Sequence, residues 1–240
     1  MIQINRTITF LLVLVMVVSC NTPSEKKQET AQKLLANIAD KELSGVKQTL
    51  VVFNSQTNNH QATLFAFEKT LQGWDQVFDE IPAGIGKNGF APTGEKVEGD
   101  GKSPSGIFAL GNLFTYLDSV DTQMPFQTTT ADDKWIDDPE SESYNCFVQG
   151  ETDAKSYENL LLKSDAYKFC MVIEYNTKPV VKGKGSAIFF HLNKTGNEST
   201  AGCVAITEEN MLRVLKWLNP ESNPHIIMGN SNEILSEFNP

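Results

Sequence analysis

Positive charge is in short supply in this sequence: 20 Lys and Arg stand against 30 Asp and Glu, for a formal net charge of −10. Such a balance excludes the basic stripe that displaces counterions from nucleic-acid phosphates, and it excludes electrostatic adhesion to anionic lipid. The four cysteines include no CxxC pair, and neither they nor the three histidines fall at metal-ligand spacing, which argues against a structural zinc site. No metal or other cofactor is expected. The acidic cluster Asp132, Asp133, Asp137 and Asp138 lacks the spacing and the glycine of an EF-hand and reads as a solvated loop face. Gly101-Lys102-Ser103 looks like the end of a P-loop, but Lys96 occupies the place of the earlier glycine, so no nucleotide is expected. Trp74, Trp135 and Trp217 are isolated and read as core or hinge residues. No internal repeat or dividing linker interrupts residues 46–240. What is present, 40% hydrophobic residues in a chain of 240, suffices for a globular core.

The N-terminal residues read as an address. Ile8 to Val18 is apolar except for Thr9. The run is short for a hydrocarbon layer of about 30 Å and suits the h-region of a signal peptide better than a membrane anchor. Val17-Val18-Ser19-Cys20 resembles a bacterial lipobox, which implies cleavage before Cys20 and acylation of that cysteine. The expected organisation is a signal peptide over 1–19, a lipid-anchored tether with a short helix over 20–45, and one domain over 46–240 in the cell envelope, outside the cytoplasm.

After Gly45 the pattern is that of short strands parted by polar turns. Strands are predicted over 47–54, 62–69, 74–78, 107–114, 167–176, 185–192, 203–206 and 225–230. Helices are predicted over 156–163 and 208–218, the second capped by Thr207 with acidic residues in its first turn. Residues 118–151 show little periodicity and read as a long loop or flap. The fold class is mainly β, with a few peripheral helices.

Of the remaining cysteines, Cys146 and Cys170 are open to two readings, a disulfide in an oxidising compartment or two free thiols. Cys203 is the odd one out. His60 and His225 need no special role, whereas His191 ends the apolar strand Ala187-Ile188-Phe189-Phe190, twelve residues before Cys203. A cysteine needs a nearby base to become a useful nucleophile, and Gly202 before it allows close approach of a carbonyl. Spacing alone leaves a catalytic pair and a structural coincidence both open.

The segment GKGSAIFFHLNKTGNESTAGCVAI (183–206) resembles the signature of the L,D-transpeptidase catalytic domain, the YkuD-like family: a histidine, a variable loop, then Ser/Thr-x-Gly-Cys and a hydrophobic residue. Here these are His191, Thr200-Ala201-Gly202-Cys203 and Val204. GKSPSGIF (101–108) matches a second pattern of the family that lines its groove. Two positions depart: Ala201 stands where a histidine is common, and Ala205 where Arg or Asn is common. The resemblance covers about residues 47–230 and implies a β-sandwich-like catalytic fold, with Cys203 as nucleophile and His191 as base, oriented by a main-chain carbonyl. It implies an oxyanion held by backbone N–H groups near Gly202 and Cys203, and a loop shaped by Thr200 or Ser199. Its implied substrates are peptidoglycan stem peptides: the thiolate attacks the carbonyl after the L-centre of a donor tetrapeptide, D-alanine leaves, and an acceptor amine such as that of diaminopimelate resolves the thioester. Two alternatives stay open, a cysteine amidase or peptidase on the same scaffold and a non-catalytic cell-wall-binding lipoprotein.

Overall fold

A computed structural model describes residues 22–38, 42–57 and 59–237. The signal peptide and Cys20 lie outside the described residues. The chain is mainly β. Its strands are β1 (Gln48–Asn54), β2 (Gln61–Thr70), β3 (Gly73–Gln76), β4 (Ile81–Gly84), β5 (Gly106–Thr115), β6 (Phe126–Thr128), β7 (Asp133–Ile136), β8 (Phe147–Gln149), β9 (Tyr157–Asn159), β10 (Phe169–Ile173), β11 (Phe189–Leu192), β12 (Val204–Ile206) and β13 (His225–Asn230). Three helices, α1 (Pro23–Asn37), α2 (Glu208–Trp217) and α3 (Ser231–Glu237), lie outside the sheets.

Ten strands form one sheet in the order β1-β13-β5-β10-β11-β12-β4-β2-β3, with β6 beside β5. Because β1 also pairs with β2, the sheet curls until it closes on itself. Strand alternation then sorts side chains inward and outward. Leu50, Val52, Leu64, Met171, Phe190, Leu192, Val204 and Ile206 fill the interior, against Met211, Val214 and Leu215 of α2. Val51 and Phe53 point the other way, so β1 is buried on both faces. They pack with Phe65 and Phe67 against Ala31, Leu34 and Leu35 of α1.

That helix begins in a capping box: the Thr22 N–H donates to Glu25, and the Glu25 N–H donates to the Thr22 hydroxyl. The short helix expected in the tether region is therefore docked on the outer face of the sheet. At α2, Thr207 stands at the N-cap position, but its hydroxyl accepts from the Asn210 side chain instead of from the backbone.

Two expectations are corrected, and one open question is decided. Residues 156–163 hold β9, not a helix, because ladder bonds to β7 (Trp135↔Glu158, Ile136↔Tyr157) outweigh local propensity. Residues 118–151 are not an unstructured flap: they contribute β6, β7 and β8, and a second sheet forms in the order β8-β7-β9. Cys146 and Cys170 are both free thiols. The first is exposed between β7 and β8, while the second is sealed in β10 between Phe114 and Phe189 packing, so no bridge forms between them.

Candidate active site

β11 and β12 run side by side in parallel, with Phe190 opposite Val204 and His191 opposite Ala205. Phe190, Leu192, Val204 and Ile206 point into the core, so Phe189, His191 and Cys203 take the opposite face. Just ahead of the paired residues, the Phe189 N–H donates to Cys203 Sγ at 3.3 Å. Cys203 and His191 thus look outward from neighbouring strands and line one pocket of about 890 Å³, together with Ser199, Thr200 and Ala201. Gly202 is not on the pocket wall.

The loop carrying the nucleophile is pinned from several sides. The Thr200 N–H donates to the Ile85 carbonyl and the Lys87 N–H to the Thr200 carbonyl, both at 2.9 Å. The Thr200 hydroxyl donates to the Cys203 carbonyl at 2.8 Å and accepts from the Gly202 N–H at 3.1 Å. The loop expectation for Thr200 thereby acquires a geometry. Ser103, fully buried in the GKSPSGIF segment, accepts from the Gly86 N–H at 2.9 Å and donates to the same Cys203 carbonyl at 3.1 Å. The two sequence motifs therefore meet at one carbonyl oxygen. Gly86 is required at this junction, since a Cβ there would lie 2.6 Å from the Gly101 carbonyl oxygen.

The thiol and the imidazole do not bond to each other in this arrangement. Cys203 Sγ donates to the Ala187 carbonyl at 3.3 Å. Ala187 holds a left-handed backbone (φ 51°), a strained conformation for a residue with a Cβ. His191 Nδ1 lies 2.9 Å from the Leu192 carbonyl. Desolvation pushes the thiol well above its ordinary pKa, with Glu158 adding to the rise and the Phe189 N–H opposing it. Desolvation likewise lowers His191 to about 4 against the pull of the Leu192 carbonyl. The resting pair is neutral: a thiol beside an unprotonated imidazole.

Residues between β6 and β10 roof the site. Trp135 on β7 meets Phe189 edge-on at 5.3 Å, and Tyr167, in a 3-10 turn over Asp165–Tyr167, meets Phe189 at 5.6 Å and His191 at 5.2 Å. The Tyr167 hydroxyl donates to Glu158, which also lines the pocket. Asn145 binds the roof to the nucleophile's support: its Oδ1 accepts from Trp135 Nε1 at 2.8 Å and from the Ala187 N–H at 3.0 Å. Its Nδ2 donates to the Tyr175 and Asn176 carbonyls. Sequence reasoning missed Ser103, Asn145, Glu158 and Tyr167 as parts of the site. Only Ser103 carried a signal, its place in a family-like motif. Among the described residues, no group of three His, Cys, Asp or Glu side chains is placed to hold a metal ion.

The family model of the L,D-transpeptidase catalytic domain, YkuD, matches residues 51–227. No curated protein matches the chain. Among solved structures, the helical cell shape determining protein Pgp2 from Campylobacter jejuni is similar at 16% identity and a TM-score of 0.38, over 83% of this chain and 55% of that one. A mutant of the same protein aligns at 15% identity and a TM-score of 0.39, over 87% of this chain and 60% of that one. The chain thus spans little more than half the length of the solved structures it matches.

Proposed function

Because the chain belongs to the YkuD family of L,D-transpeptidase catalytic domains, we propose that it is a cysteine acyltransferase acting on peptidoglycan stem peptides, with Cys203 as nucleophile and His191 as base. The observation that carries this reading is the placement of both side chains on one face of adjacent strands, at the wall of one pocket, on a loop held by Thr200 and Ser103. Acylation starts from the neutral pair. As the sulfur forms its bond to the donor carbonyl carbon, the thiol proton passes to the imidazole and the carbonyl electrons move onto oxygen. A protonated ring keeps its Nδ1–H on the Leu192 carbonyl, which offsets part of its desolvation. The Gly202 N–H already donates to Thr200, so the Cys203 N–H is the nearby amide for the oxyanion. Collapse of the intermediate expels D-alanine with the proton from His191 and leaves a Cys203 thioester, which an amine resolves.

The experiment is incubation of the protein with purified muropeptides, with products separated by mass, alongside exposure to a carbapenem. Cross-linked dimers and a covalent adduct on the Cys203 peptide are expected. Trimmed monomers alone would replace transpeptidation by hydrolysis, and an unmodified Cys203 in both arms would refute an acylable thiol. The same reading places residues 46–240 outside the cytoplasm, attached through a lipid on Cys20 after removal of 1–19. Labelling with a fatty-acid analogue should then mark the protein but not Cys20→Ser, and a protein that takes up no label would overturn the anchor.

A further inference from the structure

The pocket that holds the nucleophile also has on its wall a carboxylate that the mechanism above does not use. Glu158 lies directly opposite Trp135 in the β9–β7 ladder, so the two side chains share one face of that small sheet. Trp135 packs on Phe189, the strand neighbour of Cys203, and the shared face therefore looks onto the site. Glu158 accepts from the Tyr167 hydroxyl, and the Tyr167 ring rests edge-on against His191. The cations nearest along the pocket wall, Lys163 and Lys194, are exposed. Among the described residues, none makes an ion pair with Glu158. Asp137 and Glu98 add negative potential at the same carboxylate, and Asp137 Oδ1 is buried without a hydrogen-bond partner. The neighbourhood holds more negative charge than its own side chains neutralise.

We infer that Glu158 receives the ammonium group of the acceptor and removes one of its protons, turning it into the amine that attacks the Cys203 thioester. The inference deepens the acyltransferase reading and rests on it. The step balances as follows. The ammonium gives one proton to the Glu158 carboxylate, and the freed lone pair forms the C–N bond. The C–S bond breaks with its electron pair passing to Cys203, and the second nitrogen proton reaches that sulfur through His191. Glu158 then returns its proton to water. Burial raises the Glu158 carboxyl above the ordinary carboxylate range, which suits it to hold a proton transiently. The specificity that follows is for a primary ammonium on a flexible arm, and against a neutral arm of equal length.

Binding can be read without turnover in a Cys203→Ala protein, by calorimetry with Nα-acetyl-lysine amide and with the uncharged Nα-acetyl-norleucine amide. The lysine compound is expected to bind at least tenfold more tightly than the norleucine compound, and Glu158→Gln is expected to abolish that difference. A lysine preference that persists unchanged in the Glu158→Gln protein, or equal affinity for the two compounds in the protein that keeps Glu158, overturns the assignment. Tyr167→Phe keeps the carboxylate and should keep the preference for lysine; equal losses in both variants would make the pair a structural strut and also overturn it. In the protein with Cys203 intact, Glu158→Gln is expected to shift the fate of the thioester from aminolysis toward hydrolysis by about tenfold or more. A thiol that never acylates would refute the thioester reading, whereas the calorimetric comparison would still decide the ammonium site.

Discussion

His191→Ala is expected to slow acylation of Cys203 by a carbapenem about 10²–10⁴-fold, the range over which a positioned general base contributes, and Cys203→Ala is expected to abolish the adduct. The argument rests on the neutral resting pair. A thiol held above its ordinary pKa and bonded to the Ala187 carbonyl carries negligible thiolate near neutrality, so its proton must leave during bond formation. Only His191 shares both its sheet face and its pocket among the described histidines. The sign of the pH dependence follows from the ring. His191 acts as a base only when unprotonated, and its pKa is lowered to about 4. Acylation should therefore persist through mildly acidic pH and fall roughly tenfold per pH unit once the pH drops below about 4. In His191→Ala that acidic limb should disappear with the rate. Stopped-flow measurement of carbapenem acylation from pH 2.5 to 8 checks both statements. An acidic limb near the ordinary histidine pKa, or a His191→Ala rate within threefold of the parent, would remove His191 from the base role.

Asn145→Ala is expected to cost about 3 kcal/mol of folding stability, as befits a buried residue whose loss strands several polar groups at once. Asn145 is 3% exposed and makes four hydrogen bonds, to Trp135 Nε1, the Ala187 N–H and the carbonyls of Tyr175 and Asn176. Its left-handed backbone (φ 56°) adds to the cost, since asparagine tolerates that region better than alanine. Asn145→Gly removes the backbone strain but not the lost bonds, so it should recover only about 1 kcal/mol of the deficit. Urea denaturation of both variants measures this. The substitution also leaves the Ala187 N–H unpaired, loosening the residue whose carbonyl accepts the Cys203 S–H hydrogen bond. Alkylation of Cys203 by iodoacetamide should consequently quicken in the folded variant. A stability loss under 1 kcal/mol with unchanged alkylation would show that the roof does not hold the nucleophile's support.

How much of this was legible in advance depends on the range of the interactions. β10, β11, β12 and β13 were readable because their apolar runs pack the same way wherever a closed sheet surrounds them. α2 was readable from its acidic first turn. β7, β8 and β9 were not, because each has three or four residues and is stabilised by partners whose pairing local sequence does not encode. In 156–163, Tyr157, Leu160 and Leu161 stand at i, i+3 and i+4 as on one face of a helix, yet Leu160 is buried against Trp135 and Phe189 on the outer face of the main sheet. The question over Cys146 and Cys170 could not be answered from a count of cysteines either, since it turns on which elements lie between them.

The faces of the candidate pair follow from the order of the amino acids alone. Side chains alternate with period two along a strand, so an apolar Phe190 and Leu192 leave His191 facing outward, and Val204 and Ile206 do the same for Cys203. That order also determined the loop chemistry, through glycine where no Cβ fits and Ser103 or Thr200 where a hydroxyl must meet the Cys203 carbonyl. What surrounds that pair depends on how the chain folds. Glu158, Tyr167 and Asn145 reach it through pairing and packing between segments distant in the chain, and whether Cys203 and His191 are charged or neutral depends on the water those contacts exclude.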